Sequence, residues 1–275
     1  METVSREELA SQKASEEVVA ATPVVDPATS DSTGILITAE QLPSRFLAYP
    51  AGTTISYKPY SFGEVERWSH GKMTLEQKIE LTFANIETRG ITKGQIVFED
   101  LLLIMVLRKL TTFSKNEWRL SYTCPGCQEY ISSSRSLSEI IFQDLTEIEE
   151  LPIILDLPNG DTLEFTPFTV DDMMVCRRIS PERSAEVELP KMVRNKTYEE
   201  AKKIILENKD SDIIQALQMI DEILDFGRQY IECACPKCGH KAEVTVKGVS
   251  QLAEPFRRDE VSIKHLISFG KKKHG

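Results

Sequence analysis

Residues 123–128 read Thr-Cys-Pro-Gly-Cys-Gln and residues 234–239 read Ala-Cys-Pro-Lys-Cys-Gly, so one C-P-x-C motif occurs twice, opening at Cys124 and again at Cys235. A two-residue spacer lets both sulfurs of a tight turn face one ion, and a proline after the first cysteine stiffens that turn. Strand-like stretches flank each motif. Trp118 to Thr123 and Gln128 to Ser132 bracket the first, and Tyr230 to Glu232 and Ala242 to Val246 bracket the second. Each motif is therefore expected at the tip of a hairpin, the geometry of a zinc ribbon. Gly126 and Gly239 are free to take left-handed conformations beside the sulfurs.

Cys124, Cys127, Cys235 and Cys238 together supply a closed tetrahedron of thiolates, which predicts one zinc ion. Four thiolates leave no open coordination position, so the metal is expected to be structural rather than catalytic. The alternative of a redox dithiol needs a thiolate activated at the head of a helix in a βαβ pattern, and neither motif sits there. Cys233 and His240 lie close enough in sequence to compete as ligands. Cys233 aligns with Tyr122 of the first motif and reads as a core or flanking thiol. Cys176, beside Met173 and Met174 in a predicted helix, reads as core.

Outward from the motifs, the chain repeats itself. Pro50, Gly52, Thr54, Ile55, Tyr57, Pro59, Tyr60 and Ser61 correspond to Pro158, Gly160, Thr162, Leu163, Phe165, Pro167, Phe168 and Thr169, all at the one offset that separates Pro50 from Pro158. The cysteines follow at a slightly larger offset, Cys124 to Cys235, a drift that one small insertion within the helices accommodates. The first copy is read as strands Arg45 to Tyr49 and Thr53 to Tyr57, then a helix opened by the capping box Ser61 and Glu64. Leu75, Ile79, Phe83 and Ile86 continue at helical spacing, and a buried helix runs from Phe98 to Leu110. The second copy is read as strands Ile153 to Leu157 and Thr162 to Phe165 around Pro158-Asn159-Gly160. A capping variant at Thr169 and Asp172 follows, then a helix opened by Thr197 and Glu200. A further helix carries Ile213, Leu217, Ile220 and Leu224 on one face and stops at Gly227.

The expected fold is therefore α+β, with two tandem pseudo-equivalent units joined at one shared four-cysteine site on a pseudo-twofold axis. The domain reading is an acidic disordered tail over 1–34, a first unit over 35–135, a second over 136–250, and a basic tail or helix over 251–275.

Composition narrows the function classes. The chain has 275 residues, is 41% hydrophobic and 28% charged, and carries a formal net charge of -10. Seven acids and two bases in residues 1–34 place half of that excess in the tail, which lacks aromatics and reads as disordered. The far end reverses sign at Arg257, Arg258, Lys264 and Lys271 to Lys273. A globally acidic chain is a poor general binder of nucleic acid, because phosphate contacts need a basic face. The longest apolar run, Leu101 to Leu107, is far short of the roughly 20 residues that span a bilayer. The chain opens polar and acidic, without a signal pattern, so a reducing cytoplasm is expected and paired cysteines point to metal rather than disulfide.

A search for catalysis finds little. His70, His240, His265 and His274 pair with no Ser or Cys in a recognisable nucleophile setting. There is no G-x-G-x-x-G and no phosphate-binding loop. Glu149-Glu150 and Asp171-Asp172 read as a solvated loop and a helix start. The expectation is a non-enzyme.

Leu42-Pro43-Ser44-Arg45-Phe46, Tyr49-Pro50 and Tyr57-Lys58-Pro59-Tyr60, followed by the capped helix, resemble the opening of the baseplate hub assembly proteins of contractile-tailed, T-even-type bacteriophages. The likeness is strongest over residues 42–70. It implies a non-enzymatic assembly factor or minor virion component with hub or tail proteins as partners, working in the cytoplasm of the bacterial host or carried in the tail baseplate. The alternative class is a zinc-ribbon nucleic-acid-binding factor in transcription or translation, for which Tyr122, Tyr130, Lys237, Lys241 and Lys247 are the candidate contacts.

Overall fold

A computed structural model describes residues 34–70, 73–114, 116–145, 148–179 and 185–247, all within one compact unit that begins at Ser32. The predicted tails lie outside the described residues, apart from Gly34. Within these limits the chain is mixed α+β, with seven helices and small antiparallel sheets. No described helix is long and apolar enough to cross a membrane.

The first sheet is built from β1 (Ile35–Leu36), β2 (Thr54–Tyr57) and β3 (Ile86–Arg89), with Tyr57 opposite both Ile35 and Ile86. The strand expected over Arg45 to Tyr49 is not one. Residues 43–48 run as turns, and Arg45 and Phe46 both have positive φ, 53° and 62°. The cause lies far along the sequence. The fully buried Asp100 carboxylate accepts the Ser44 backbone N–H at 3.0 Å, the Ser44 hydroxyl at 2.5 Å and the Tyr49 hydroxyl at 2.5 Å. Three donors drawn to one buried acid curl the segment and forfeit the strand ladder.

Helices α1 (Phe62–His70) and α2 (Leu75–Phe83) follow, each started by a reciprocal cap. In the first, the Ser61 N–H donates to Glu64 Oε2 at 2.9 Å and the Glu64 N–H to Ser61 Oγ at 3.3 Å. In the second, Thr74 and Gln77 play the same parts. Ile86, read as the next helical position, instead opens β3, because Ala84 and Asn85 end the helix and Ile86 pairs with Tyr57.

Helix α3 (Phe98–Thr112) crosses the interior. Its Arg108 is fully buried and fully engaged: Nε donates to the Lys58 carbonyl at 2.8 Å, Nη2 meets Glu64 Oε1 at 2.7 Å, and the guanidinium lies 4.1 Å from the Tyr60 ring. The Tyr57-to-Glu64 stretch is thus moulded around one arginine.

After the hairpin β4 (Glu117–Thr123) and β5 (Tyr130–Ser136), the short β6 (Ile141–Phe142) leads to the hairpin β7 (Ile153–Asp156) and β8 (Thr162–Phe165). Helices α4 (Val170–Ile179), α5 (Ala185–Met192), α6 (Tyr198–Leu206) and α7 (Ser211–Leu224) then precede the last hairpin, β9 (Gln229–Ala234) and β10 (Lys241–Thr245). The Thr169–Asp172 and Thr197–Glu200 caps form as expected. So does the buried stripe Ile213, Leu217, Ile220 and Leu224. The starts of α3 and α4 are stitched together: the Phe98 N–H donates to the Phe168 carbonyl and the Val170 N–H to the Ile96 carbonyl, at 3.0 and 2.9 Å.

One main core joins both halves of the sequence, with Ile55, Ile86, Leu101 and Ile104 packed among Leu163, Phe165, Phe168, Leu217 and Leu224. Burying each such side chain contributes about 1.5–3 kcal/mol. A second cluster of Trp68, Leu81, Met105, Leu120, Ile231, Cys233 and Val246 lies under the β4–β5 and β9–β10 hairpins. Helix α3 supplies both clusters, Leu101 and Ile104 to the first and Met105 and Val106 to the second.

Candidate metal centre

The two cysteine hairpins share one construction. The cross-strand partners Thr123↔Tyr130, Tyr122↔Ile131, Ser121↔Ser132, Leu120↔Ser133 and Arg119↔Ser134 recur, at the offset that carries Cys124 onto Cys235, as Ala234↔Lys241, Cys233↔Ala242, Glu232↔Glu243, Ile231↔Val244 and Tyr230↔Thr245. At the first tip the Cys124 N–H donates to the Glu129 carbonyl and the Gln128 N–H to the Cys124 carbonyl, at 2.9 and 2.8 Å. At the second, the Cys235 N–H donates to the His240 carbonyl and the Gly239 N–H to the Cys235 carbonyl, both at 2.8 Å. The left-handed residue of the first turn is Gln128 (φ 60°), in the place that Gly239 (φ 72°) fills in the second. This corrects the expectation for Gly126, which has no positive φ. Gly126 is required for a different reason: a Cβ there would stand 2.9 Å from Cβ and Cγ of His240.

The tips bring Cys124, Cys127, Cys235 and Cys238 together, with all four sulfurs within 4.8 Å of one another. Cys124 Sγ lies 3.7 Å from Cys238 Sγ, and Cys127 Sγ lies 3.7 Å from Cys235 Sγ. All are free thiols. Sulfurs bound at about 2.3 Å to one tetrahedral ion stand about 3.8 Å apart, so this spacing suits a metal and is far too long for disulfides. Among the described residues, this is the single group of His, Cys, Asp and Glu side chains placed to hold an ion.

Backbone amides point at these sulfurs. The Cys238 N–H, with that of Lys237, faces Cys235 and draws its thiol down to about 6. The Glu129 N–H faces Cys127 in the same sense, but burial and hydrogen bonds with the thiols of Cys238, Cys124 and Cys235 outweigh it and push Cys127 up to about 12. A divalent cation held among these sulfurs would supply positive charge that favours their thiolate forms.

The competing ligands fall outside the cluster. Cys233 is buried, with Arg135 Nη2 3.8 Å from its sulfur. The His240 side chain covers Gly126. Cys176 is core, its thiol 3.7 Å from the Val187 carbonyl. His265, His274 and the His70 side chain lie outside the described residues. Sequence reasoning missed the ion pair between Glu129 and Lys237, at 2.8 Å, that bridges the two tips. Its only signal was a pair of opposite charges, one in each turn. No family model, curated protein or solved structure matches this chain.

Proposed function

We propose that Cys124, Cys127, Cys235 and Cys238 hold one structural zinc ion, and that the chain is a non-enzymatic tail protein of a contractile-tailed phage, an assembly factor or minor component of the baseplate hub. The observation that carries the metal reading is the four-sulfur set, which joins positions 108 and 114 residues apart in sequence. Zinc bound there would staple the chain's two halves and leave no position for a substrate. The hub assignment rests on the resemblance of residues 42–70, whose shape depends on Asp100 and Arg108. Its proposed setting is the host cytoplasm during assembly, or the finished baseplate.

The finer architecture belongs to the same proposal: two tandem pseudo-equivalent units about a local twofold axis. Several regularities support it. The Ser61–Glu64 and Thr169–Asp172 caps are equivalent pairs at one constant offset. Gly52 and Gly160 share φ 82°. Replacing each cysteine by its equivalent in the other turn converts the Cys124–Cys238 pair into the Cys127–Cys235 pair, at equal distance. Before the cysteine turn, the first unit has three helices and β3 paired with Tyr57, and the second has four helices and an isolated bridge between Phe165 and Val193.

The nucleic-acid reading loses ground, because Lys237, one of its few bases, is paired with Glu129. The deciding experiment is native mass spectrometry of the protein purified from cells that also make the phage tail proteins. One zinc per chain with a tail protein bound is the expected result. One zinc with nucleic acid bound would replace the hub reading by the ribbon-factor reading, and a metal-free chain with disulfides would remove the staple.

A further inference from the structure

The four cysteines differ in their exposure to water. Cys124 and Cys235, the first cysteine of each turn, are 0% and 3% exposed, whereas Cys127 is half-buried and Cys238 is exposed. The inner pair packs with Ile131, with Tyr122 and Cys127 partly buried against it; Cys238 stands outside this cluster. The tetrahedron thus has an inner edge, Cys124–Cys235, set in the protein, and an outer edge, Cys127–Cys238, turned toward solvent. We infer that the metal enters and leaves by the outer edge, with Cys127 and Cys238 as the exchanging ligands and Cys124 and Cys235 as anchors. This rests on the metal-site reading above and extends it from composition to kinetics.

The physical ground is what a closed site needs in order to exchange. An incoming donor must reach the ion, and a sulfur must swing away from it. An inner sulfur can swing only by opening a void in close-packed surroundings. An outer sulfur rotates into water, where its thiolate is solvated. The Glu129–Lys237 pair starts from residues beside these two cysteines, so it latches the same edge. Thiophilic divalent ions such as cadmium, and small soft chelators, are the species that would use this route. Exchange then proceeds as ligand substitution without unfolding: each departing thiolate leaves as an anion or takes a proton from water, with no change in oxidation state.

The test uses the full chain loaded with zinc, its metal content measured first. Brief treatment with iodoacetamide under native conditions, followed by peptide mass mapping, should find Cys127 and Cys238 alkylated at least about tenfold faster than Cys124 and Cys235. Replacement of zinc by cadmium should outpace global unfolding measured by hydrogen exchange, and Lys237→Ala should accelerate it at unchanged stoichiometry. Equal alkylation of the four cysteines, or exchange no faster than unfolding, would overturn the outer-edge route. A chain that takes up no zinc at the loading step would instead overturn the metal site itself. As a second readout, Cys238→Ser should retain one metal at lowered affinity while Cys124→Ser loses it, and equal losses count against the assignment of anchors.

Discussion

Glu129, on the first cysteine turn, and Lys237, on the second, form an ion pair at 2.8 Å; the residues at the equivalent positions of the opposite turns, His240 and Gly126, also lie against each other. One contact is electrostatic and the other steric, yet they join the same two turns beside the sulfurs. Both members of the ion pair are more than half exposed, so water and salt screen it and its contribution to stability is small. The Gly126 contact leaves no room at all for a side chain.

Gly126→Ala is therefore expected to destabilise the fold by about 1–3 kcal/mol, since the added methyl meets His240. Combining it with His240→Gly should recover most of that loss. Urea denaturation of the single and double variants checks both statements, and an undisturbed Gly126→Ala would refute the close contact.

Chelation of the metal, or Cys235→Ser, should loosen the whole fold rather than one loop, because the site joins strands drawn from both halves of the sequence. A loss of about 3 kcal/mol on chelation would lower the melting midpoint by roughly 6–12 °C in a domain of this size. Calorimetry with and without a zinc chelator gives the answer. A midpoint unmoved by complete metal removal would show that the sulfurs contribute nothing to stability.

Arg108 and Glu64 are 0% and 1% exposed and meet at 2.7 Å. Removing one partner strands a buried charge, so Arg108→Met alone or Glu64→Gln alone should cost about 3–5 kcal/mol. The pair Arg108→Met with Glu64→Gln should cost clearly less than the sum of the singles. A double-mutant cycle in urea reads the coupling, and strict additivity would mean the two side chains act independently.

Burial pushes the Asp100 carboxyl up to about 6, against the lowering hydrogen bonds of Ser44 and Tyr49, and nearby Asp144 adds to the rise. A folded-state value above the unfolded value of about 3.9 means that the folded protein binds this proton more tightly. Its stabilising contribution is therefore fully present below about pH 4 and is lost as pH rises through about 6. The span amounts to roughly 3 kcal/mol by linkage. Asp100→Asn removes that dependence. Relative to the variant, the wild-type chain should gain stability between about pH 7.5 and about pH 4, a difference that parallel urea titrations resolve. A stability gap that stays constant over that range would contradict the shifted carboxyl.

Much of the local structure was legible in the residues. Ser61 with Glu64, and Thr197 with Glu200, announced helix starts because a cap is settled within one turn. Asn159 and Gly160 announced a hairpin, in which Gly160 alone of the two takes the positive φ, 82°. Ile213, Leu217, Ile220 and Leu224 announced a buried stripe by spacing alone. Arg45 to Tyr49 failed because strand propensity there was outweighed by Asp100, far along the chain. Ile86 failed because its apolar character suits a helix face and a strand equally, and only Tyr57 opposite it decides.

The two C-P-x-C turns, the hairpins that present them, the caps and the α+β character could be read from the residues. All of these depend on spacings of a few residues, over which chain geometry leaves few options; that the two turns share one site was inferred from the recurrence of the motif. Which sulfurs stand 3.7 Å apart, and that Gln128 rather than Gly126 takes the left-handed position, follow from the packed fold. The same holds for β6 lying beside β9, and for the two buried charges, Asp100 and Arg108, that shape residues 42–64. These choices turn on desolvation and close packing between segments far apart in the chain, and those energies have no local signature to read.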